Sequence, residues 1–149
     1  MPDRKMSKAD FETPAHFRYQ LRRFLRFSED VTHQHGVTPL QYQLMLQIHG
    51  YPGRSWATVA ELAERLQAKH HGVVSLVSRC EAAGWVRRAA SRDDKRRVEV
   101  HLTPRGRACL QHLARLHREE LRSVRDGLLI PGFAAVDCDS ATQPTCESR

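Results

Sequence analysis

From residue 58 to residue 103 three patterns follow one another directly, and their order leaves few folds open. Thr58-Val59-Ala60-Glu61 sets a hydroxyl three places ahead of a carboxylate, the reciprocal signature that satisfies orphan amides at a helix start. The helix it predicts runs to Leu66. Val73, Leu76, Val77 and Cys80 then recur at the 3.6-residue period of a second helix, and Gly84 is placed to end it. The other face of that helix holds His70, His71, Val74, Ser75, Ser78 and Arg79, short polar groups and one long cation without an acid. Such a face suits a DNA groove, where a carboxylate would be repelled by phosphates.

The third pattern is a hairpin. Trp85-Val86-Arg87-Arg88-Ala89-Ala90 is followed by the turn-like Ser91-Arg92-Asp93-Asp94-Lys95 and then by Arg96 to Leu102, where Val98, Val100 and Leu102 alternate with polar residues. Arg87, Arg88, Arg92, Lys95, Arg96 and Arg97 cluster around that one connection. A surface so basic is drawn to phosphates or to a narrow minor groove. A merely solvated charged face is the alternative, and its position directly after a helix with an acid-free polar face argues against it.

Three further helices are announced by Thr-Pro pairs at Thr13-Pro14, Thr38-Pro39 and Thr103-Pro104, where Thr caps and Pro fills the first position, whose amide has no partner. The first is expected over about residues 14–35 with Phe17, Leu21, Phe24, Leu25, Ser28 and Val31 on one face. The second, with Gln41 completing a capping box, should bury Leu40, Leu44, Met45 and Ile48. The last is expected over about residues 104–129, with Leu110, Leu113, Leu116 or His117, Leu121, Val124 and Leu128 as its stripe. At 1.5 Å per residue it would be about 35–40 Å long and overhang a compact unit. Pairing of the first and last helices with a second copy would cover both stripes, giving a homodimer; the alternative is that they cover each other within one subunit.

The chain has 149 residues, enough for one domain with its own core. Its net charge of +7 is uneven: Arg149 against Asp137, Asp139 and Glu147 gives residues 131–149 a charge of −2, leaving +9 on the rest. An anionic partner for the folded body is implied. Residues 131–149 lack a clear period after Pro131-Gly132 and read as a flexible tail. No apolar stretch resembles a signal or a membrane span, so the expected location is cytoplasmic with no membrane partner. Four cysteines without a CxxC pair suggest reduced thiols.

Val59-Ala60-Glu61-Leu62-Ala63, Glu81-Ala82-Ala83-Gly84-Trp85-Val86 and the wing Asp94-Lys95-Arg96-Arg97-Val98-Glu99-Val100-His101-Leu102-Thr103-Pro104-Arg105-Gly106 occur together and in order. Over about residues 11–130 the chain resembles the MarR family of bacterial transcription regulators, whose wing carries D-x-R and then a strand ending L-T-x-x-G. The resemblance implies a mainly α fold with a small β-hairpin wing: a winged helix-turn-helix over about residues 38–103, flanked by N- and C-terminal dimerisation helices. It also implies a homodimer on a pseudo-palindromic operator in double-stranded DNA, usually a repressor released by a small molecule or by thiol oxidation. Carried over by position, Asp94 would brace the wing by pairing with an Arg and Arg96 would be the wing cation. Arg92, Lys95 and Arg97 would meet the minor groove or phosphates, and His70, His71, Val74, Ser75, Ser78 and Arg79 the major groove. Family members usually end in another helix returning to the interface; Pro131-Gly132 departs from that pattern.

No nucleophile, base and orienting group form a recognisable set, and no glycine loop cradles phosphate, so neither an enzyme nor a cofactor is expected. His33 with His35 and His112 with His117 are the nearest imidazole pairs, and neither has the i, i+4 spacing of a helical metal site, so no metal is expected. Cys80 reads as a small core residue, whereas Cys109 beside Arg105 and Arg107 is the candidate for a thiol-responsive regulator. Phe24, Phe27, Tyr42, His49 and Trp56 could line a pocket for a small aromatic effector where the dimer helices meet the winged unit, although each also suits an ordinary core. A winged-helix module binding an acidic protein is the competing class.

Overall fold

A computed structural model describes residues 4–125, with side chains to residue 122. The elements in order are α1 (Lys8–Gln34), α2 (Pro39–His49), β1 (Trp56–Thr58), α3 (Val59–Leu66), α4 (His70–Ala82), β2 (Val86–Ala90), β3 (Val98–Leu102) and α5 (Pro104–Arg125). The continuation of α5 towards residue 129, Val124 and Leu128 in its stripe, the tail from residue 131, and Cys138 and Cys146 lie outside the described residues.

Two of the three Thr-Pro caps stand where expected. The Gln41 amide donates to Thr38 Oγ1 at 3.2 Å while the Thr38 amide donates to Gln41 Oε1 at 3.0 Å. The Gly106 amide donates to Thr103 Oγ1 at 3.0 Å, and the Thr103 hydroxyl donates in turn to the Gly84 carbonyl at 2.6 Å, tying the start of α5 to the end of α4. The first cap is different. α1 begins at Lys8 and runs through Pro14, because Asp10 outcompetes Thr13: its carboxylate accepts from the Ser7 amide at 2.7 Å and the Ser7 hydroxyl at 2.8 Å, and Arg4 braces it at 2.9 Å. Those bonds from Ser7 hold the Asp10 carboxyl below its ordinary range. Pro14 then costs α1 only one backbone bond near its start.

At the start of α3, Thr58 Oγ1 accepts from the Glu61 amide at 3.3 Å. The Glu61 carboxylate takes the Thr58 hydroxyl at 2.8 Å and pairs with Arg54, rather than reaching back to the Thr58 amide. Gln67 ends α3 in the left-handed region at φ 51°, its Nε2 donating to the Glu64 carbonyl at 2.7 Å, and α4 opens three residues later.

The sheet has three antiparallel strands in the order β1-β3-β2. Val86 faces Leu102 and Ala90 faces Val98 across the hairpin, while Trp56 faces His101 and Thr58 faces Glu99 on the other edge. The hairpin is the predicted one; β1 was not predicted, since three residues are too few to display a period of two. Central β3 contributes Val100 to a core with Leu44, Met45, Ile48, Leu62, Val73, Val77, Cys80, Val86 and Leu113. Leu40, expected inside, is 54% exposed, because Val37 and Tyr42 close that end of the core instead.

α1 and α5 pack against each other through Ser28, Val31, Leu110, Leu113 and His117. The cover is partial: Leu21, Leu25 and Leu121 remain 39%, 51% and 49% exposed. Among the described residues no helix is long and apolar enough to cross a membrane.

Candidate nucleic-acid interface

α4 buries Val73, Leu76, Val77 and Cys80 and exposes His70, His71, Val74, Ser75, Ser78 and Arg79, so its predicted two faces are those observed. Ser75 and Ser78 donate to the carbonyls of His71 and Val74 at 3.2 and 3.1 Å, which lays their hydroxyls along the helix and leaves lone pairs outward. Among the described residues Arg79 pairs with no carboxylate.

The wing turn is built on Asp94. Its Oδ1 accepts from the Arg96 amide at 2.9 Å, its carbonyl accepts from the Arg97 amide at 3.0 Å, and the Ser91 amide closes the turn on the Arg97 carbonyl at 3.1 Å. The expected guanidinium pairing is the weaker part, Arg97 Nε lying 3.9 Å from Oδ2. Bracing through main-chain amides leaves the side chains of Arg92, Lys95 and Arg96 exposed and unpaired with any described carboxylate.

Arg88 differs from its basic neighbours. Its Nη1 donates to Glu81 Oε1 at 3.1 Å and its Nη2 to Ser78 Oγ at 2.9 Å and the Val74 carbonyl at 3.1 Å. The residue counted among the wing cations therefore spends its charge tying strand to helix, and it takes one lone pair of Ser78. Sequence inspection did not single it out; the signal was Glu81, the acid closing an otherwise acid-free helix. His70 and Val74 of α4, Arg88 of β2, Arg96, Arg97 and Val98 of the wing and residues 58–61 line one cleft of about 450 Å³. Helix face and wing thus open on the same space. Glu61 is the acid of that lining, and Arg54 and Thr58 engage it.

Residues 35–97 match the MarR family model. A putative transcriptional regulatory protein for the hcr operon from Thauera aromatica is 32% identical over 109 residues, 73% of this chain and 62% of the relative. AbsC, a MarR family transcriptional regulator from Streptomyces coelicolor, superposes with a TM-score of 0.72 at 20% identity, covering 86% of both chains. Residues 35–97 are thus similar to the MarR family, and the chain has the fold of AbsC. A mutant MarR from E. coli complexed with operator DNA has the same fold, with a TM-score of 0.65 at 20% identity over 83% of this chain and 89% of that one. The chain spans less than two thirds of the length of the Thauera relative.

Within this MarR fold the five pocket candidates do not form one site. Phe24, Phe27 and Tyr42 gather around His117, a residue 4% exposed: Tyr42 stacks on its ring at 4.3 Å, and Phe24 and Phe27 meet it edge-on at 6.2 and 5.7 Å. Nδ1 of His117 is 2.7 Å from the Leu113 carbonyl and Nε2 is 2.9 Å from Ser28 Oγ, so the imidazole joins α1, α2 and α5. Trp56 lies elsewhere, stacked between the Arg54 guanidinium at 3.9 Å and His101 at 6.0 Å, and His49 is exposed at the end of α2. The thiol expectation fares worse. Burial pushes the Cys109 thiol up and outweighs nearby Arg105, the reverse of a reactive thiolate, and burial drives Cys80 up to about 11.

Proposed function

We propose that this protein is a non-catalytic, sequence-specific DNA-binding transcription regulator that acts as a homodimer on a pseudo-palindromic operator. The observation that carries the reading is the shared cleft: the acid-free face of α4, through His70 and Val74, and the basic wing, through Arg96 and Arg97, open on one space. His70, His71, Val74, Ser75, Ser78 and Arg79 face the major groove, while Arg92, Lys95, Arg96 and Arg97 meet the backbone or the adjacent minor groove, with Asp94 holding the turn. Phosphate contacts supply affinity and register, and contacts to base edges supply sequence preference.

The dimer is supported by the leucines left open on α1 and α5, Leu21, Leu25 and Leu121. Paired recognition helices would then meet successive major grooves about 34–36 Å apart. Sedimentation of a single-subunit mass at working concentration removes this part. Repression relieved by a small aromatic effector is the finer part of the reading and follows from the resemblance to MarR regulators. A thermal-shift screen of aromatic carboxylates with no stabilisation removes that part.

The deciding experiment is a gel-shift titration against the DNA flanking the protein's own gene, repeated at several salt concentrations. Each phosphate neutralised by a cation should add about 0.9 to the slope of log affinity against log salt. Steep salt dependence, with binding weakened by Arg96→Ala, supports the regulator. Absence of a shift on any genomic fragment overturns it in favour of a module that binds an acidic protein.

A further inference from the structure

His35 and His112 are 77 residues apart in sequence, yet their Nε2 atoms lie 3.1 Å apart with ring centroids at 4.8 Å. His35 is the C-cap of α1 and His112 projects from α5; both are exposed. Neither belongs to the DNA-facing surface or to the ring cluster around His117. The second nitrogen of His35, Nδ1, lies 2.8 Å from the Val31 carbonyl oxygen. A carbonyl can only accept, so the proton of neutral His35 is on Nδ1 and its Nε2 presents a bare lone pair to His112. A neutral His112 with its proton on Nε2 donates it to that lone pair, and a cation can take that proton's place between the two nitrogens.

The spacing also admits a cation. Two imidazole nitrogens held at about 2.0–2.1 Å from a tetrahedral ion are about 3.3–3.4 Å apart, a few tenths of an ångström from the separation found. An Nδ1–H bonded to a backbone carbonyl is also the outer contact that fixes ring and tautomer of a metal-binding histidine. Imidazole is a borderline ligand that favours zinc, copper and nickel over magnesium or calcium.

We propose that His35 and His112 form a two-imidazole site for a borderline divalent cation such as Zn²⁺ or Ni²⁺, clamping the end of α1 to α5. Among the described residues no group of three or more His, Cys, Asp or Glu gathers to hold a metal, so water completes the coordination and the ion exchanges readily. Its place is the joint at His35-Gly36-Val37-Thr38, where α1 hands over to the first helix of the winged unit. An ion here stiffens the link between the flanking helices and α2.

The full chain, stripped by a chelator, is titrated with Zn²⁺ and separately with Ni²⁺ by calorimetry, with thermal unfolding in parallel. The expected result is one ion per chain, a raised Tm at saturation, and binding weakened at least about tenfold in His35→Gln and in His112→Gln. His33→Gln should bind as the parent does. Paramagnetic Ni²⁺ should also broaden the ring resonances of His35 and His112 in the unmutated protein, which reads the site without any variant. Absence of saturable binding, binding unchanged in both variants, or broadening confined to other histidines overturns the proposal. Gel shifts with metal-free protein test the DNA reading independently.

Discussion

Arg88 of β2 holds Glu81 of α4 at two points, its amide donating to Oε2 at 2.9 Å and its Nη1 to Oε1 at 3.1 Å. With Nη2 on Ser78 and Val74, this one side chain makes wing and recognition helix a single body. Arg88→Ala should therefore cost about 1 kcal/mol of stability by denaturant titration, the usual net worth of bonds on a partly exposed surface. It should weaken DNA binding on every sequence while leaving the salt slope intact. A slope lowered by about 0.9 would instead place Arg88 on a phosphate.

Arg79 and Lys95 should separate the two kinds of contact. Arg79 projects from the exposed face of α4, where a guanidinium can meet a guanine at two points; Lys95 sits in the wing turn beside Asp94. Arg79→Ala is expected to reduce discrimination between operator and non-operator DNA by about 1–3 kcal/mol, whereas Lys95→Ala should weaken all sequences alike and lower the salt slope by about one. Competition gel shifts with matched and mutated operators measure both. Equal weakening by the two variants would make Arg79 a phosphate anchor.

What could be read from the sequence was whatever depends on local period and spacing. Val73, Leu76, Val77 and Cys80 marked the buried face of α4, and Val98, Val100 and Leu102 marked β3, because burial on one side imposes periods of 3.6 and 2. The caps at Thr38 and Thr103 were legible because both partners lie within three residues. At Thr13 the same reasoning failed, since Thr-Pro marks a permitted start and the competing Ser7–Asp10 pair decided it. Arg88 was visible as a cation but not as a tether, because Glu81, Ser78 and Val74 meet it only after the hairpin folds back. The His35–His112 pairing lay further out of reach: it joins two helices across most of the fold, so no spacing along the chain records it.

Gly106 is where α5 passes closest to the end of β2. A Cβ there would overlap the Trp85 carbonyl, a backbone atom that cannot swing aside, and Thr103 next to it holds both Gly84 and Trp85 carbonyls. Gly106→Ala should therefore destabilise the protein by about 3 kcal/mol, the upper range for overpacking a tight contact. Thr103→Val, which keeps volume but loses the cap, should cost about 1–2 kcal/mol. Chemical denaturation ranks them; a Gly106→Ala variant as stable as the parent would refute the close approach.

Cys80 gives a pH prediction with a definite sign. Burial raises its thiol from the ordinary value of 9.0 to about 11, with neighbouring Arg79 only partly opposing the shift. The folded state thus keeps a proton that the unfolded chain releases first. Stability from this difference is fully present below pH 9 and is lost as pH rises towards 11, at a limiting slope of about 1.4 kcal/mol per pH unit. Burial raises the Tyr42 hydroxyl too, which adds to the alkaline loss in the same direction. Cys80→Ala removes a titrating group along with some packing, so it should lower stability at neutral pH yet flatten the decline above pH 9. Urea titrations of both proteins from pH 7 to pH 11 compare the slopes. Parallel curves would show that the Cys80 thiol ionises as readily in the folded protein as in the unfolded chain.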